Sequence, residues 1–265
     1  MPGGDQATIF ISGAGRGIGR ACAMRFAAAG YFVGLYDIAE ATLAETTAEL
    51  RARYGEGSCC AQRVDVRDAA SVRAAVDHFA EQGGGRLDIL VNNAAIMEVG
   101  AFERVDLEAH QRTIAVNLGG VIALSHACFS LLRETPRARV INLSSVAALR
   151  GIPEMASYSA TKHGVRALTE ALELEWASHD IRVCDVMPSF VDTDLLRDTQ
   201  TLTAEQFVGV GLGPEDVAAR VWQAAHSRRW RTHWPIGWQS ALAYRFGALL
   251  PEVVQRALLR FLTKL

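Results

Sequence analysis

A glycine-rich turn that joins a short apolar segment to a helical segment constrains the fold of this chain more than any other feature. Residues 8–11 read Thr-Ile-Phe-Ile, a run typical of a buried strand, and a helical pattern follows over about 20–29. The turn between them has the spacing GxxxGxG, at Gly13, Gly17 and Gly19. Such a turn lets the backbone approach a pyrophosphate, and the helix N-terminus supplies donors and a positive dipole. We therefore expect a dinucleotide-binding opening, with a tight turn of no binding role as the alternative.

Apolar segments and helical patterns alternate along the rest of the chain. This alternation predicts an α/β fold with a doubly wound parallel sheet, a three-layer α/β/α arrangement of the Rossmann type. No internal repeat or linker interrupts it, so we predict a single domain over 1–265, with a substrate lid at about 195–213 and a C-terminal extension at about 228–265. Further strands are expected at 31–36, 59–64, 87–91, 139–143 and 181–187.

The composition argues against several classes of function. The net charge is −2, and a nucleic-acid binder would need a strongly basic face. The five cysteines show neither a disulfide framework nor a CxxC spacing for a metal. The segment before the first apolar run, Met1 to Gln6, is short and polar, so we expect no signal peptide. No apolar run is long enough to span a bilayer. We expect a cytoplasmic protein with no metal and no nucleic-acid partner.

Acidic residues follow the second and third predicted strands. Asp37 lies 18 residues after Gly19, close to the offset of roughly 20 residues at which a carboxylate meets an adenosine ribose. A carboxylate there accepts bonds from ribose hydroxyls and repels a 2′-phosphate, so Asp37 favours NAD over NADP. Arg16 in the turn favours NADP, but Asp37 has more weight because the ribose lies at the strand end. As alternatives, Asp37 could cap the next helix, and Asp65 could either bond adenine or cap the helix after it.

A tyrosine and a lysine, Tyr158 and Lys162, are spaced one helical turn apart on a predicted helix that ends near Trp176. An ammonium at that distance favours the phenolate, so we expect it to lower the phenol pKa from its usual value of about 10. The pair then suits proton exchange with an alcohol or carbonyl oxygen. A half-buried tyrosine beside a solvated lysine is the alternative.

Two polar positions accompany this pair. Asn117 falls in the middle of a helical pattern over about 107–133, where asparagine is a poor helix former and glycines follow. We expect a local distortion that holds a water or a side chain, or else a satisfied buried amide. Ser145 follows the fifth predicted strand, at the sheet edge where ligands bind.

In this order and at these offsets, the features resemble the short-chain dehydrogenase/reductase family in its single-domain form of about 250 residues. The resemblance covers about residues 7–194. It rests on Ser12-Gly13…Gly17-Ile18-Gly19, Asp65-Val66, Asn92-Asn93-Ala94-Ala95, Asn117, Ser145, Tyr158-x-x-x-Lys162 and the segment from Pro188 to Thr193.

The resemblance implies four catalytic residues. Tyr158 would be the general acid/base, and Lys162 would lower its pKa and bond the nicotinamide ribose. Ser145 would hold the substrate oxygen, and Asn117 would anchor a water that links Lys162 to solvent. We expect the cofactor at Ser12, Gly13, Gly15, Arg16, Gly17, Ile18, Gly19, Asp37, Asp65, Val66, Asn93, Ala94, Ala95, Tyr158, Lys162, Pro188, Val191 and Thr193.

Three residues depart from the family's pattern. Ser12 replaces a threonine and keeps the hydroxyl, whereas Ala95 and Ser189 replace glycines. An alanine or serine forbids any backbone angle that only glycine tolerates. We therefore expect an active enzyme with a slightly altered nicotinamide pocket.

The candidate pocket walls are mostly apolar, with no arginine or lysine that obviously faces the substrate. We expect hydride transfer between NAD(H) and a hydrophobic secondary alcohol or ketone. The alternatives are an NADPH-dependent 3-ketoacyl or carbonyl reductase and, in another class, a non-catalytic dinucleotide-sensing protein. The walls are expected at Ile96, Met97, Ala147, Met155, Phe190, Leu195, Leu196 and Phe207.

The C-terminal segment combines tryptophans with arginines and, from Pro251, a basic amphipathic helical pattern. Such a helix can dock on a membrane surface. Packing against its own subunit or a neighbour is favoured over membrane contact. The resemblance implies a homodimer or homotetramer, formed through the helices that carry Asn117 and Tyr158.

Overall fold

The structure is a computed structural model that describes residues 6–189, 191, 211–229, 231–246 and 251–263. Its centre is one parallel sheet with the strand order β3-β2-β1-β4-β5-β6-β7. The strands are β1 (Thr8–Ser12), β2 (Phe32–Asp37), β3 (Cys59–Arg63), β4 (Ile89–Asn92), β5 (Arg139–Leu143), β6 (Arg182–Met187) and β7 (His233–Pro235).

Helices cover both faces of this sheet. The helix that follows β4 contains a π turn at Ala115–Gly119 between two α-helical halves. The α-helices are α1 (Gly17–Ala28), α2 (Glu40–Tyr54), α3 (Ala69–Gln82), α4 (Leu107–Ile114), α5 (Gly120–Glu134), α6 (Ala156–Trp176), α7 (Pro214–His226), α8 (Trp238–Phe246) and α9 (Glu252–Thr263).

Two apolar cores lie on opposite faces of the sheet, as expected for parallel strands that are covered on both sides. One core contains Phe26 of α1 and Val221 of α7, and these two helices pack against each other. The other contains Phe79 of α3 and Leu124 of α5. All of β1 is buried, which explains why it reads as a continuous apolar run.

The strand order reverses between β1 and β4, so the connections from these two strands leave toward opposite sides of the sheet. In open α/β sheets, ligands bind in the crevice at this switch point, outside the carboxyl ends of the strands. The glycine-rich turn follows β1, and Ser145 follows β5, so both lie at this edge.

The structure confirms the predicted fold class and all six predicted strands. The prediction missed β7, because a three-residue strand carries no periodicity, and it missed α7 and α8. The first helix begins at Gly17 rather than Arg20, so the last glycines of the turn belong to the helix. One domain over 1–265 stays a prediction.

The segment Leu107–Glu134 is long and apolar enough to cross a membrane by length and hydropathy alone, contrary to the sequence-based expectation. Core helices of globular domains meet the same criteria. Here Leu124, Cys128 and Leu132 of this segment are buried in the core beside the sheet.

Candidate active site

A cavity of about 440 Å³ opens along the carboxyl edge of the sheet. It reaches from the ends of β2 and β3 to the ends of β5 and β6. Of the predicted site residues, it is lined by Gly13, Arg16, Gly17, Ile18, Asp37, Asp65, Val66, Asn93, Ala94, Ala95, Ser145, Tyr158, Lys162, Pro188 and Val191.

The glycine-rich turn packs so closely that its backbone forms the cavity wall. Gly13 has a φ of +66°, and a Cβ there would come within 2.9 Å of the Ala94 Cα. A Cβ on Gly19 would overlap the carbonyl oxygen of Gly13. The Arg16 side chain does not cap α1, whose first turn borders the cavity at Gly17 and Ile18. This arrangement fits a pyrophosphate held by backbone N–H groups at a helix N-terminus.

Two of the predicted cofactor residues hold the turn in place. The Ser12 hydroxyl accepts hydrogen bonds from the backbone N–H groups of Asn93, at 3.1 Å, and Ala94, at 3.2 Å. The Asn93 amide donates to the carbonyl oxygens of Ser12 and Gly13, at 3.0 and 2.9 Å. Asn93 therefore joins the end of β4 to the glycine-rich turn, which is more than local turn chemistry.

Asp37 borders the cavity at the end of β2. Its Oδ2 accepts a hydrogen bond from the Gly15 N–H at 2.8 Å, and its Oδ1 accepts one from the Ala39 N–H at 3.0 Å. The N-cap of α2 is Ala39, so the alternative that Asp37 caps this helix is wrong. The carboxylate is therefore fixed beside the glycine-rich turn, where its negative charge faces the cavity.

Asp65 borders the same end of the cavity but is paired with a neighbour. Arg67 donates from Nε to Oδ1 at 2.9 Å and from Nη2 to Oδ2 at 2.6 Å. These hydrogen bonds from Arg67 hold the pKa of Asp65 below its usual value. Asp68 caps α3 by accepting from the Ala70 N–H, so the predicted capping role of Asp65 is wrong.

Tyr158, Ser145 and Lys162 meet at the other end of the cavity. The residue Tyr158 is only partly buried, but its phenol lies deep enough that burial raises the pKa to about 12. A hydrogen bond with Ser145 opposes this rise. Burial therefore sets the direction of the Tyr158 pKa change, and the lowering of this pKa by Lys162 stays a prediction.

Lys162 is buried, and its Nζ donates to the Leu143 carbonyl oxygen at 2.7 Å. The same Nζ lies 5.5 Å from the centre of the Tyr158 ring. Burial lowers the Lys162 pKa to about 8, and the negative charge of Asp185 opposes this change. A solvated lysine, the alternative considered from the sequence, is therefore excluded.

Asn117 lies in the π turn, so the predicted helix distortion is present. Its amide pairs with the backbone of Ile96, accepting from the N–H and donating to the carbonyl oxygen, each at 2.8 Å. A weaker bond of 3.4 Å reaches the Thr161 hydroxyl. The Asn117 side chain therefore has hydrogen-bond partners within the protein, and it holds the segment after β4, which contains Ile96, beside the cavity. Its role in anchoring a water stays a prediction.

The two glycine replacements cause no backbone strain. Among the described residues other than glycine, only Arg137, Glu154 and Asp180 have a positive φ. Ala95 and Ser189 therefore occupy ordinary backbone regions, and both line the cavity. Each adds a small side chain at the predicted nicotinamide end without distorting the chain.

Four of the predicted apolar wall residues line the cavity: Ile96, Met97, Ala147 and Met155. The others, Phe190, Leu195, Leu196 and Phe207, lie outside the described residues, as do Thr193 and most of the predicted lid. At the lid's end, Leu212 forms a parallel bridge with Val191.

The sequence analysis missed charged residues that line the cavity. Arg112 of α4 borders it and forms a 2.7 Å ion pair with Glu98, so the expectation of no basic side chain at the pocket is wrong. Arg67 lines the end of the cavity where the adenosine is predicted to lie. Arg112 and Glu98 lie 14 positions apart on a helix and a loop, a separation that carries no sequence signal.

Comparisons with known proteins are consistent with this geometry. A family profile described as short chain dehydrogenase matches residues 7–203. A 3-oxoacyl-[acyl-carrier-protein] reductase of Synechocystis sp. is 35% identical over 219 residues, 80% of this chain and 85% of the relative. A cyclohexanol dehydrogenase of Acinetobacter sp. is 33% identical over 217 residues, 81% of this chain and 85% of the relative.

Among solved structures, a short-chain dehydrogenase/reductase from Burkholderia phymatum in complex with NAD superposes with a TM-score of 0.80. It is 28% identical, and the match covers 92% of this chain and 95% of that one. The span matched by the family profile includes the glycine-rich turn, Asp37 and the Tyr158–Lys162 pair.

Proposed function

The chain belongs to the short-chain dehydrogenase/reductase family of oxidoreductases, and on that premise we propose that it interconverts a hydrophobic secondary alcohol and a ketone with NAD(H). The observation that carries the proposal is the meeting of Tyr158, Ser145 and Lys162 at one end of a cavity that has the glycine-rich turn and Asp37 at the other. A dinucleotide bound along the carboxyl edge of the sheet would reach from one of these groups to the other.

Tyr158 exchanges a proton with the substrate oxygen. Its pKa of about 12 means that the phenol carries its proton at neutral pH, ready to donate it to a carbonyl oxygen held by Ser145. In the opposite direction the phenolate accepts the alcohol proton, and the buried Lys162 ammonium stabilises that negative charge. When bound, the cofactor supplies the hydride exchange at its nicotinamide ring.

The remaining site residues bind and orient. The turn at Gly13, Gly17 and Ile18 would hold the pyrophosphate, and Asp37 would meet the adenosine ribose. Lys162 would bond the nicotinamide ribose, and Pro188 and Val191 would border the nicotinamide. Asn117 would keep the Ile96 segment beside the cavity and link Lys162 to solvent through a water.

The choice of NAD rests on the fixed position of Asp37. Its carboxylate would repel a 2′-phosphate, and the Burkholderia phymatum relative has NAD bound. The second candidate is an NADPH-dependent 3-ketoacyl or carbonyl reductase. It is supported by the exposed Arg16 at the cavity and by the name of the Synechocystis relative.

The substrate class rests on the apolar wall formed by Ile96, Met97, Ala147 and Met155. Arg112 is the exception, but its charge is paired with Glu98. We further propose a cytoplasmic enzyme that associates as a homodimer or homotetramer. Membrane contact through the C-terminal segment is the less favoured alternative.

The test is a panel of hydrophobic secondary alcohols and ketones, each assayed with both cofactors by the absorbance of the reduced nicotinamide. Turnover that prefers NAD(H) is expected. A preference for NADPH with 3-ketoacyl substrates would select the second candidate. Dinucleotide binding without turnover on any substrate would favour the sensing protein.

The first variant to measure is Tyr158→Phe, which removes the proton that the mechanism moves. We expect turnover to fall about 100- to 10,000-fold, while NAD binding measured by calorimetry persists. Tyr54→Phe, at an exposed position on α2, is the matched control and should change neither quantity. Turnover like that of the wild type in Tyr158→Phe would remove the proposed acid/base.

A further inference from the structure

A buried carboxylate outside the catalytic set forms a chain of ionisable groups that leads to the surface. Asp185, in the middle of β6, has no exposed surface. Its Oδ1 lies 2.9 Å from Nδ1 of His233, and Nε2 of that histidine lies 3.0 Å from the Glu170 carboxylate on α6. Glu170 also pairs with Arg166 one turn earlier, at 3.0 Å. The mechanism above uses none of these groups.

The strand register places Asp185 on the sheet face that α6 covers. Asp185 lies opposite Asn142 of β5, and paired residues on parallel strands point to the same face. The Asn142 amide donates to the Thr169 hydroxyl of α6 at 2.8 Å, which identifies that face. Lys162 of α6 bonds the carbonyl oxygen of Leu143, the next residue along β5. Asp185 and the Lys162 ammonium therefore share the interface between α6 and the sheet.

A nearby positive charge would stabilise the buried carboxylate of Asp185. A buried carboxylate is costly unless it is paired and hydrogen-bonded. His233 bonds one oxygen, but the other, Oδ2, is buried and accepts no hydrogen bond from the part of the chain that the structure describes. Lys162 is a buried cation, and the negative charge of Asp185 acts to raise the pKa of this lysine.

We propose that Asp185, anchored by His233, is a positioning residue that acts through Lys162 by keeping its ammonium charged beside Tyr158. The proposal rests on the proposed function only for its consequence in catalysis. Asp185 and Lys162 both belong to the protein, so the electrostatic interaction proposed between them can be measured without turnover.

The surrounding charges give the sign of the effect. Burial lowers the Lys162 pKa to about 8, and Asp185 partly restores it. Burial also raises the pKa of Asp185, which His233 and Arg166 oppose and Glu170 reinforces. For His233, burial lowers the pKa, but the bond and charge of Asp185 outweigh it and the net change is a rise. Tyr244 of α8 packs on the His233 ring at 5.6 Å.

Since Lys162 loses its proton as the pH rises through its pKa, removal of the Asp185 charge should bring this loss to a lower pH. The ammonium would then be absent over the alkaline part of the working range. If turnover depends on the ammonium, the alkaline limb of its pH profile should move to lower pH by the same amount as the Lys162 pKa.

The sequence permits a direct measurement because it contains only two lysines, Lys162 and Lys264. Full-length protein labelled with ¹³C-lysine should give two side-chain signals, assigned with Lys264→Arg. In Asp185→Asn we expect the Lys162 pKa to fall by about one unit. Glu170→Gln is the matched control: it removes a carboxylate at the half-exposed end of the same cluster, where solvent screens it, and should leave the Lys162 pKa in place.

An unchanged Lys162 pKa in Asp185→Asn overturns the proposal. If that variant does not fold, Asp185→Ala removes the carboxylate without burying an amide, and the same expectation and the same overturning result apply. The pH profile of kcat is then measured for both proteins. A lowered Lys162 pKa with a matching shift of the alkaline limb supports the proposal in full. A lowered pKa with an unmoved limb overturns its catalytic part, and absent turnover in the wild type would refute the proposed function instead.

Discussion

Both carboxylate oxygens of Asp37 accept backbone hydrogen bonds, from Gly15 and Ala39, so this residue has two separable effects. It anchors the glycine-rich turn to the end of β2, and it places a negative charge at the predicted adenosine end of the cavity. The first effect contributes to stability, and we expect the second to select against a 2′-phosphate.

Substitution of Asp37 should change cofactor preference. Asp37→Ala is expected to weaken NAD relative to NADP by about 10- to 100-fold, since a hydrogen bond to a charged group contributes about 1.5–3 kcal/mol. The ratio of kcat/KM values for the two cofactors is the measurement. Asp37→Asn loses the charge but keeps one of the two backbone acceptors, whereas Asp37→Ala loses both, so a comparison of the two variants helps to separate the two effects. A wild-type preference for NADP would contradict the role given to Asp37.

Pairings across the fold explain which residue roles the sequence could not reveal. The sequence placed Asp65 after the third predicted strand but did not reveal its partner, and it did not single out Asp185. The Asp65 carboxylate is paired with Arg67. His233 lies 48 positions from Asp185 along the chain and contacts it only because β7 pairs with β6. The rise in the Tyr158 pKa likewise depends on burial, which a one-turn spacing does not encode.

Element-scale predictions succeeded where periodicity was strong. The six predicted strands and the helices between them followed from apolar runs and helical patterns. A local distortion at Asn117 was expected from an asparagine and two glycines in a helix, and the structure has a π turn there. Of the missed elements, β7 and α8 are short and lie in the C-terminal segment that combines tryptophans with arginines, whereas α7 (Pro214–His226) lies between the predicted lid and that segment.

The first turn of α1 depends on the absence of a side chain at Gly19. In Gly19→Ala the new methyl group would overlap the Gly13 carbonyl, so the turn and the helix N-terminus must move apart. We expect NAD binding to weaken at least about tenfold, with a stability loss of about 1–3 kcal/mol. Calorimetric titration and thermal unfolding measure the two effects.

A matched control for this variant is Gly57→Ala. A Cβ on Gly57 would have no heavy atom within 4 Å beyond its chain neighbours, and the residue has no positive φ, so both measurements should stay at wild-type values. Wild-type NAD affinity in Gly19→Ala would show that the turn does not contact the cofactor as proposed.

At the scale of the whole molecule, the strand order brings distant sequence motifs to one edge. Residues from the turn after β1 and from the segments after β2, β4, β5 and β6 border a single cavity. The motifs predicted the edge, because parallel strands all end there. They did not predict the helix surfaces that remain exposed once the core is packed.

Large apolar side chains remain exposed on the helices that the resemblance assigns to subunit contact: Leu107 and Ile114 on α4, Ile122 on α5 and Leu174 on α6. Leu174 is 76% exposed, and burying a leucine contributes about 1.5–3 kcal/mol. We expect Leu174→Glu to dissociate the proposed oligomer, measured as a lower mass by light scattering coupled to size exclusion. Leu242→Glu, on the exposed face of α8, is the control and should keep the wild-type mass. Dissociation by Leu242→Glu but not by Leu174→Glu would indicate that the subunits contact each other through the C-terminal segment. A monomeric wild-type protein would contradict the proposed oligomer altogether.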